Sequence, residues 1–158
     1  MGFGLRDAFA LGVSPSSKPA TVRFFLDADI LGLAKVLVSL RPDVTYPGDP
    51  GGVVHRCERP ACMIKDCGTP DTVWIPEVAR CGWLIITRDS RIQERAAEIN
   101  TVRANGARMI ALSSAEARTT WAQLEVFMSQ WRAIERLVAE PGPFIYSATR
   151  TTLRRMNI

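Results

Sequence analysis

Carboxylates placed at the ends of apolar runs are the clearest chemical signal in this sequence. Asp27 follows the run 22–26, with Asp29 two residues on. Asp89 follows the run 83–87, and Asp71 opens the stretch DTVWIPEVAR between the two runs. Carboxylate oxygens suit hard cations such as Mg²⁺ or Mn²⁺, which commonly take one or two of them together with substrate phosphate. Carboxylates crowded together repel one another unless a cation neutralises them. A cation held there could supply a hydroxide nucleophile and stabilise both oxygens of an in-line phosphodiester displacement. Each acid also has a plainer role, since Asp29 and Asp71 stand where helix N-caps are wanted and Asp89 where a turn residue is. The deciding question is whether the fold brings Asp27, Asp71 and Asp89 to one edge.

The elements that must position them can be read from hydrophobic spacing. Residues 22–26 form a short apolar strand, and Ile30, Leu33, Ala34, Leu37 and Val38 have the i, i+3, i+4 spacing of an amphipathic helix over 30–40. Asp29 is placed to cap that helix, and Pro42 to stop it. Residues 43–46 read as a second strand. A helix from Asp71 ends at Gly82, where a left-handed residue is cheapest without a Cβ. The unbroken apolar run 83–87 is then a strand buried on both faces. A helix follows over 91–104, a strand over 107–112, and a single long helix over 115–140. Ser113 and Glu116 stand at capping-box spacing before that helix. Its apolar stripe takes in Trp121, Leu124, Phe127, Met128, Trp131, Ile134, Leu137 and Val138. Residues 144–158 read as a terminal strand or ribbon. Strands alternating with helices imply an α/β fold, a three-layer α/β/α sandwich with a mainly parallel central sheet. In such sheets ligands bind at the carboxyl ends of the strands, the edge to which these acids are assigned.

Two segments stand apart. Residues 1–20, rich in serine and proline at 14–19, are expected to be a flexible N-terminal segment, leaving 21–158 as one domain. Residues 47–70, PGDPGGVVHRCERPACMIKDCGTP, have no periodicity and are expected to be a long irregular loop of functional or mobile character. That loop holds His55, Cys57, Cys62 and Cys67 as H-x-C-x4-C-x4-C, the right ligand types and number for a structural Zn²⁺ site but at looser spacing than paired C-x2-C knuckles. Incidental cysteines are the preferred reading, with zinc as the alternative. The composition, 47% hydrophobic and 23% charged, is that of a globular protein, with no run of the ~18 apolar residues that would span a membrane. The net charge of +4 leans mildly towards polyanions. Without a signal peptide pattern, and with four cysteines that demand no disulfides, a cytoplasmic chain with reduced thiols is expected.

The run Thr87-Arg88-Asp89 after an apolar strand resembles the T-x-D signature of PIN domains, the metal-dependent ribonucleases that include VapC-type toxins. The stretch DTVWIPEVARCGWLIITRDSRI resembles the bacterial PIN-like branch, as do FFLDADILGLAKVL and the terminal PGPFIY, so the likeness covers about residues 21–147. It implies endonucleolytic cleavage of RNA with Mg²⁺ or Mn²⁺, with Asp27, Asp71 and Asp89 as metal-binding catalytic acids. A small antitoxin protein and a homodimer are the partners it suggests. The family usually contributes a further acid from a mid-chain helix, where this chain has the 47–70 loop. Asp43, Asp49, Glu58 and Asp66 are available for that role, and Glu77, six residues after Asp71 on the same helix, is the preferred candidate, against a solvated partner for Arg80. Thr87, Arg88, Arg91 and Arg95 flank the site, and Arg91 and Arg95 share a helix face at i, i+4, placed to hold an RNA backbone. Solvated helix arginines are the alternative. Arg150, Arg154 and Arg155 form a second basic cluster.

Two rival functions remain at this point. FFLDADIL also resembles the D-x-D motif of haloacid-dehalogenase-like phosphatases, with Asp27 as nucleophile and Asp29 as acid/base. That family needs a later lysine, and the only lysine beyond the first helix is Lys65. The other rival is a catalytically inactive PIN-like module that binds RNA or protein.

Overall fold

Phe24, Phe25 and Leu26 are fully buried, and because successive strand residues face opposite ways, both faces of their sheet must be covered. The computed structural model, which describes residues 16–88 and 95–158, shows how. The chain begins with β1 (Lys18–Pro19), β2 (Phe24–Leu26), a 3-10 turn (Ala28–Ile30), α1 (Leu31–Leu40) and β3 (Val44–Thr45). It continues through β4 (Gly52–Val54), β5 (Cys57–Arg59), α2 (Asp71–Arg80), β6 (Leu84–Arg88) and α3 (Ala96–Asn105). It closes with β7 (Arg108–Leu112), α4 (Thr120–Ser129), α5 (Trp131–Leu137), β8 (Phe144–Ala148) and β9 (Leu153–Arg155).

The main sheet has the order β3-β2-β6-β7-β8-β9, parallel except for the last pair. On one face Phe24, Leu26, Leu84, Ile86 and Ile110 pack with Leu33 and Leu37 of α1, Phe127 of α4 and Ile134 of α5. On the other, Phe25, Ile85, Met109 and Ile145 pack with Trp74, Ile75 and Val78 of α2 and Val102 of α3. This is the expected three-layer α/β/α sandwich. Each fully buried Leu, Ile or Phe side chain contributes roughly 1.5–3 kcal/mol, so the layers are held chiefly by this alternation. No helix among the described residues is long and apolar enough to cross a membrane.

Several local expectations change. Lys18 and Pro19, within the segment expected to be flexible, pair in parallel with Cys57 and Glu58 of β5. The 47–70 segment is not a plain loop, because β4 and β5 form an antiparallel hairpin within it and join β1 as a second, three-stranded sheet. His55 and Arg56 at the hairpin turn both have positive φ, 49° and 61°, the two-residue geometry usually supplied by Asn-Gly. The segment is tied down from inside. Arg59 donates from Nε to Asp49 Oδ2 at 2.6 Å and from Nη2 to Oδ1 at 3.1 Å, with both side chains buried. Thr45 Oγ1 and the Gly51 amide complete the shell of Asp49.

The single long helix expected over 115–140 is two helices, broken at Gln130, and its cap is Thr119, whose hydroxyl accepts from the Ala122 amide at 3.1 Å. Glu116 instead accepts from the Arg150 amide at 2.8 Å. Trp121, assigned to the apolar stripe, is 76% exposed, because the buried row of α4 is Gln123, Val126 and Phe127 and Trp121 falls on the opposite side of the helix. Gly82 ends α2 with φ of 71°, as expected.

Candidate active site

Strand order reverses between β2 and β6: α1 carries the chain from β2 outward to β3, whereas β6 lies on the other side of β2. The carboxyl ends of these two strands therefore border a crevice of the kind in which α/β sheets bind ligands. Register sets its composition. Leu26 pairs with Ile86, and the Asp27 amide continues the ladder by donating to the Ile86 carbonyl at 2.9 Å, which puts Asp27 beside Thr87.

Asp27 is held at both oxygens. Its Oδ1 accepts from the Ala28 amide at 2.6 Å, so Asp27, rather than Asp29, caps the first helical turn. Its Oδ2 accepts from Thr87 Oγ1 at 3.1 Å. The same hydroxyl lies 3.3 Å from Asp29 Oδ2, so one proton serves two carboxylates. Asp29 Oδ2 also accepts from the Arg88 amide at 3.2 Å. As a residue Asp29 is open to solvent, but its carboxyl is turned down into the crevice. That burial, reinforced by the negative charge of Asp27, raises its pKa to about 7, the hydrogen bonds from Arg88 and Thr87 offsetting only part of the rise.

Asp71 begins α2, and Pro70 is the N-cap residue. The Asp71 Oδ1 accepts from the indole Nε1 of Trp74 at 2.9 Å. Trp74 is itself buried, 5.0 Å centroid to centroid from Phe25 of β2, so a core residue aims the carboxylate. Glu98, in the first turn of α3, is buried, with Arg95 Nη1 at 3.7 Å from its Oε2. Asp27, Asp29, Asp71 and Glu98 line one cavity of about 350 Å³, together with Thr87, Arg88, Arg95 and Ser114.

Of the residues expected at the site, Asp27, Asp71, Thr87, Arg88 and Arg95 thus meet at this cavity. Asp89 and Arg91 lie outside the described residues. Glu77 is not brought there: it pairs with Arg80 three residues on, and its half-exposed side chain is not part of the cavity wall. Helix phase explains this, since Glu77 is almost two turns below the N-terminal end of α2 that borders the crevice. Arg88 lines the cavity while its Nη1 donates to the carbonyls of Ala117 and Arg118 at 3.3 and 3.2 Å. Glu98 was missed by pattern reading, although a signal existed: it falls four residues before buried Val102 on the inward row of α3, a position where an acid is out of place.

Among the described residues no three acid, histidine or cysteine side chains already meet as a metal cluster. The donor chemistry of the cavity nonetheless fits a hard divalent cation, since its acids offer only carboxylate oxygens and Asp29 shows the cost of holding negative charge there. Among the described residues His55, Cys57, Cys62 and Cys67 do not gather as a metal-binding group. Cys62 is buried in the core, where burial pushes its thiol up, Cys67 Sγ faces the Pro47 carbonyl at 3.5 Å, and His55 Nε2 lies 3.1 Å from the Leu40 carbonyl. Lys65, the lysine that a phosphatase would need, is not part of the cavity wall.

A family model described as a PIN like domain matches residues 22–114, which is 93 of the 158 residues and more than half of the chain. No curated protein and no solved structure matches it.

Proposed function

The chain belongs to the PIN-like domain family, in general a nuclease fold, and on that premise we propose that it is a metal-dependent endoribonuclease. The observation that carries this reading is the gathering of Asp27, Asp29, Asp71 and Glu98 in one cavity at the point where strand order reverses. Asp27, Asp71 and Asp89 would hold Mg²⁺ or Mn²⁺, with Glu98 as the further acid in place of Glu77. When bound, such an ion supplies charge neutralisation and an acidified water for attack on a phosphodiester.

The chain's own groups have definable parts. Thr87 holds Asp27 and Asp29 at hydrogen-bond distance through one hydroxyl. Trp74 Nε1 keeps the Asp71 carboxylate turned to the crevice. Asp29, with a pKa near 7, carries a proton on its carboxyl part of the time at neutral pH, as proton transfer to or from a reacting oxygen requires. Arg88 and Arg95 supply positive charge at the cavity wall for the RNA backbone.

Incubation with total RNA, with and without Mg²⁺ or Mn²⁺, tests this. Cleavage should require the ion and be lost in Asp27→Asn and Asp71→Asn variants. Cleavage without metal, or full activity in either variant, would refute the mechanism, and binding without cleavage would leave an RNA-binding module. Covalent aspartyl-phosphate on Asp27 would support a phosphatase instead. The resemblance to PIN domains, a family that includes VapC-type toxins, supports a toxin role with a small antitoxin partner. Induced expression should then arrest growth, and co-expression of a small neighbouring gene should relieve the arrest.

A further inference from the structure

The basic residues that the active cavity does not use are sorted by the fold. Arg150 is neutralised by Glu116 and Glu125, at 3.7 and 3.2 Å. Arg154 and Arg155 are not: they lie exposed on β9, the strand that ends the main sheet, and no acid among the described residues pairs with either. Arg103, exposed in the last turn of α3, has only the side-chain oxygen of Asn100 at 3.4 Å. These three residues border two adjoining hollows. One, of about 420 Å³, is lined by Arg103, Pro143, Arg155, Met156, Asn157 and Ile158, and the other, of about 250 Å³, by Arg154 to Asn157. Met156 is anchored, donating its amide to the Ile145 carbonyl at 2.8 Å, so the floor of the groove is built rather than loose.

The groove also has a fixed relation to the acid cavity. Arg95 lines that cavity at the start of α3, and Arg103 lines the groove at its end. A ten-residue helix is ~15 Å long, a span that a few nucleotides of single-stranded RNA can cover. We propose that the groove of Arg103, Arg154 and Arg155 is an accessory phosphate-binding site for the RNA strand, continuing its path along α3 away from the acid cavity. This rests on the nuclease reading for the identity of the polyanion. Arginine suits the task because its planar fork pairs with phosphate oxygens, and none of these three forks pairs with an acid among the described residues. A competing structural role exists, since charged side chains on an edge strand discourage edge-to-edge pairing. That role predicts no salt-linked affinity for RNA.

The test is anisotropy of a labelled single-stranded RNA of about 12 nucleotides, titrated in EDTA at several salt concentrations. Replacing all three arginines by alanine should flatten the slope of log K against log salt by about two, since each single-strand phosphate contact contributes ~0.7. The Arg→Lys triple variant, which keeps the charge, should retain most of the slope. An unchanged slope in the alanine variant overturns the proposal, whether the groove serves an acidic protein or only guards the edge. With Mg²⁺ present, the alanine variant should raise KM for the long RNA and leave cleavage of a fragment of about four nucleotides unchanged. An equal loss on both lengths overturns it too. Absence of cleavage of either RNA by the wild-type chain refutes the nuclease reading, while the slope in EDTA still decides the groove.

Discussion

Removing the carboxylate of Asp49 should be among the most damaging single changes outside the hydrophobic core. Asp49 has a fully buried side chain, and Arg59, only 4% exposed, donates two hydrogen bonds to it at 2.6 and 3.1 Å. Arg59 Nη1 has no partner among the described residues, so the guanidinium depends on Asp49 for its compensation. In Asp49→Ala the cation stays buried with nothing to balance it, and Thr45 Oγ1 and the Gly51 amide lose their acceptor. Breaking one side of such a pair costs about 3–5 kcal/mol. At roughly 2–4 °C per kcal/mol for a chain of this size, the melting temperature should fall by about 6–20 °C. Urea denaturation followed by circular dichroism measures the first quantity and a thermal scan the second. Replacing both partners with apolar residues, Asp49→Leu with Arg59→Met, should recover most of the loss, because the unpaired charge is gone. A loss below about 1 kcal/mol in the single variant, the scale of an exposed pair, would refute the argument that burial makes this pair consequential. The effect should also reach the acid-lined cavity, since the same segment carries core residues Cys62 and Ile64 and then delivers Asp71.

Three further outcomes follow from the geometry. Burial pushes Asp43 up, but hydrogen bonds from Arg41 and Arg23 outweigh it and hold its carboxyl below the usual range. Its stabilisation should therefore be complete above about pH 4 and fade as pH falls through the folded-state value, an acid limb that Asp43→Asn should lack in pH-dependent denaturation. For Asp29 the sign reverses. Its pKa is raised to about 7, so in metal-free protein stability should decline as pH rises from about 4 to 7, and Asp29→Asn should abolish that decline. Replacing Trp74 with Phe removes the hydrogen bond to Asp71 while keeping an aromatic ring against Phe25. Stability should fall by about 1 kcal/mol, whereas RNA cleavage should fall much further, and equal activity to wild type would show that Asp71 needs no such aim.

The layered architecture, and the acids at its strand and helix ends, are written in the order of residues along the chain. Strands and helices announce themselves through periods of two and 3.6, and these depend only on which face of a local element is apolar. Asp27 at the end of β2 and Asp71 at the start of α2 follow directly from the boundaries of such elements. Which side chains lose water, by contrast, is set by how the elements pack. Glu98 lines the acid cavity because α3 packs its inward row on the sheet, and Glu77 does not because α2 turns it towards solvent and Arg80. The hairpin of β4 and β5 escaped notice because His55 and Arg56 occupy a turn whose positive φ neither residue signals. Asp49 and Arg59 look like ordinary loop charges ten residues apart, and only closure of the second sheet against the body of the protein makes them a buried pair. Periodicity is local and can be read in the chain, whereas burial of a polar group depends on residues distant in sequence and becomes legible only in the fold.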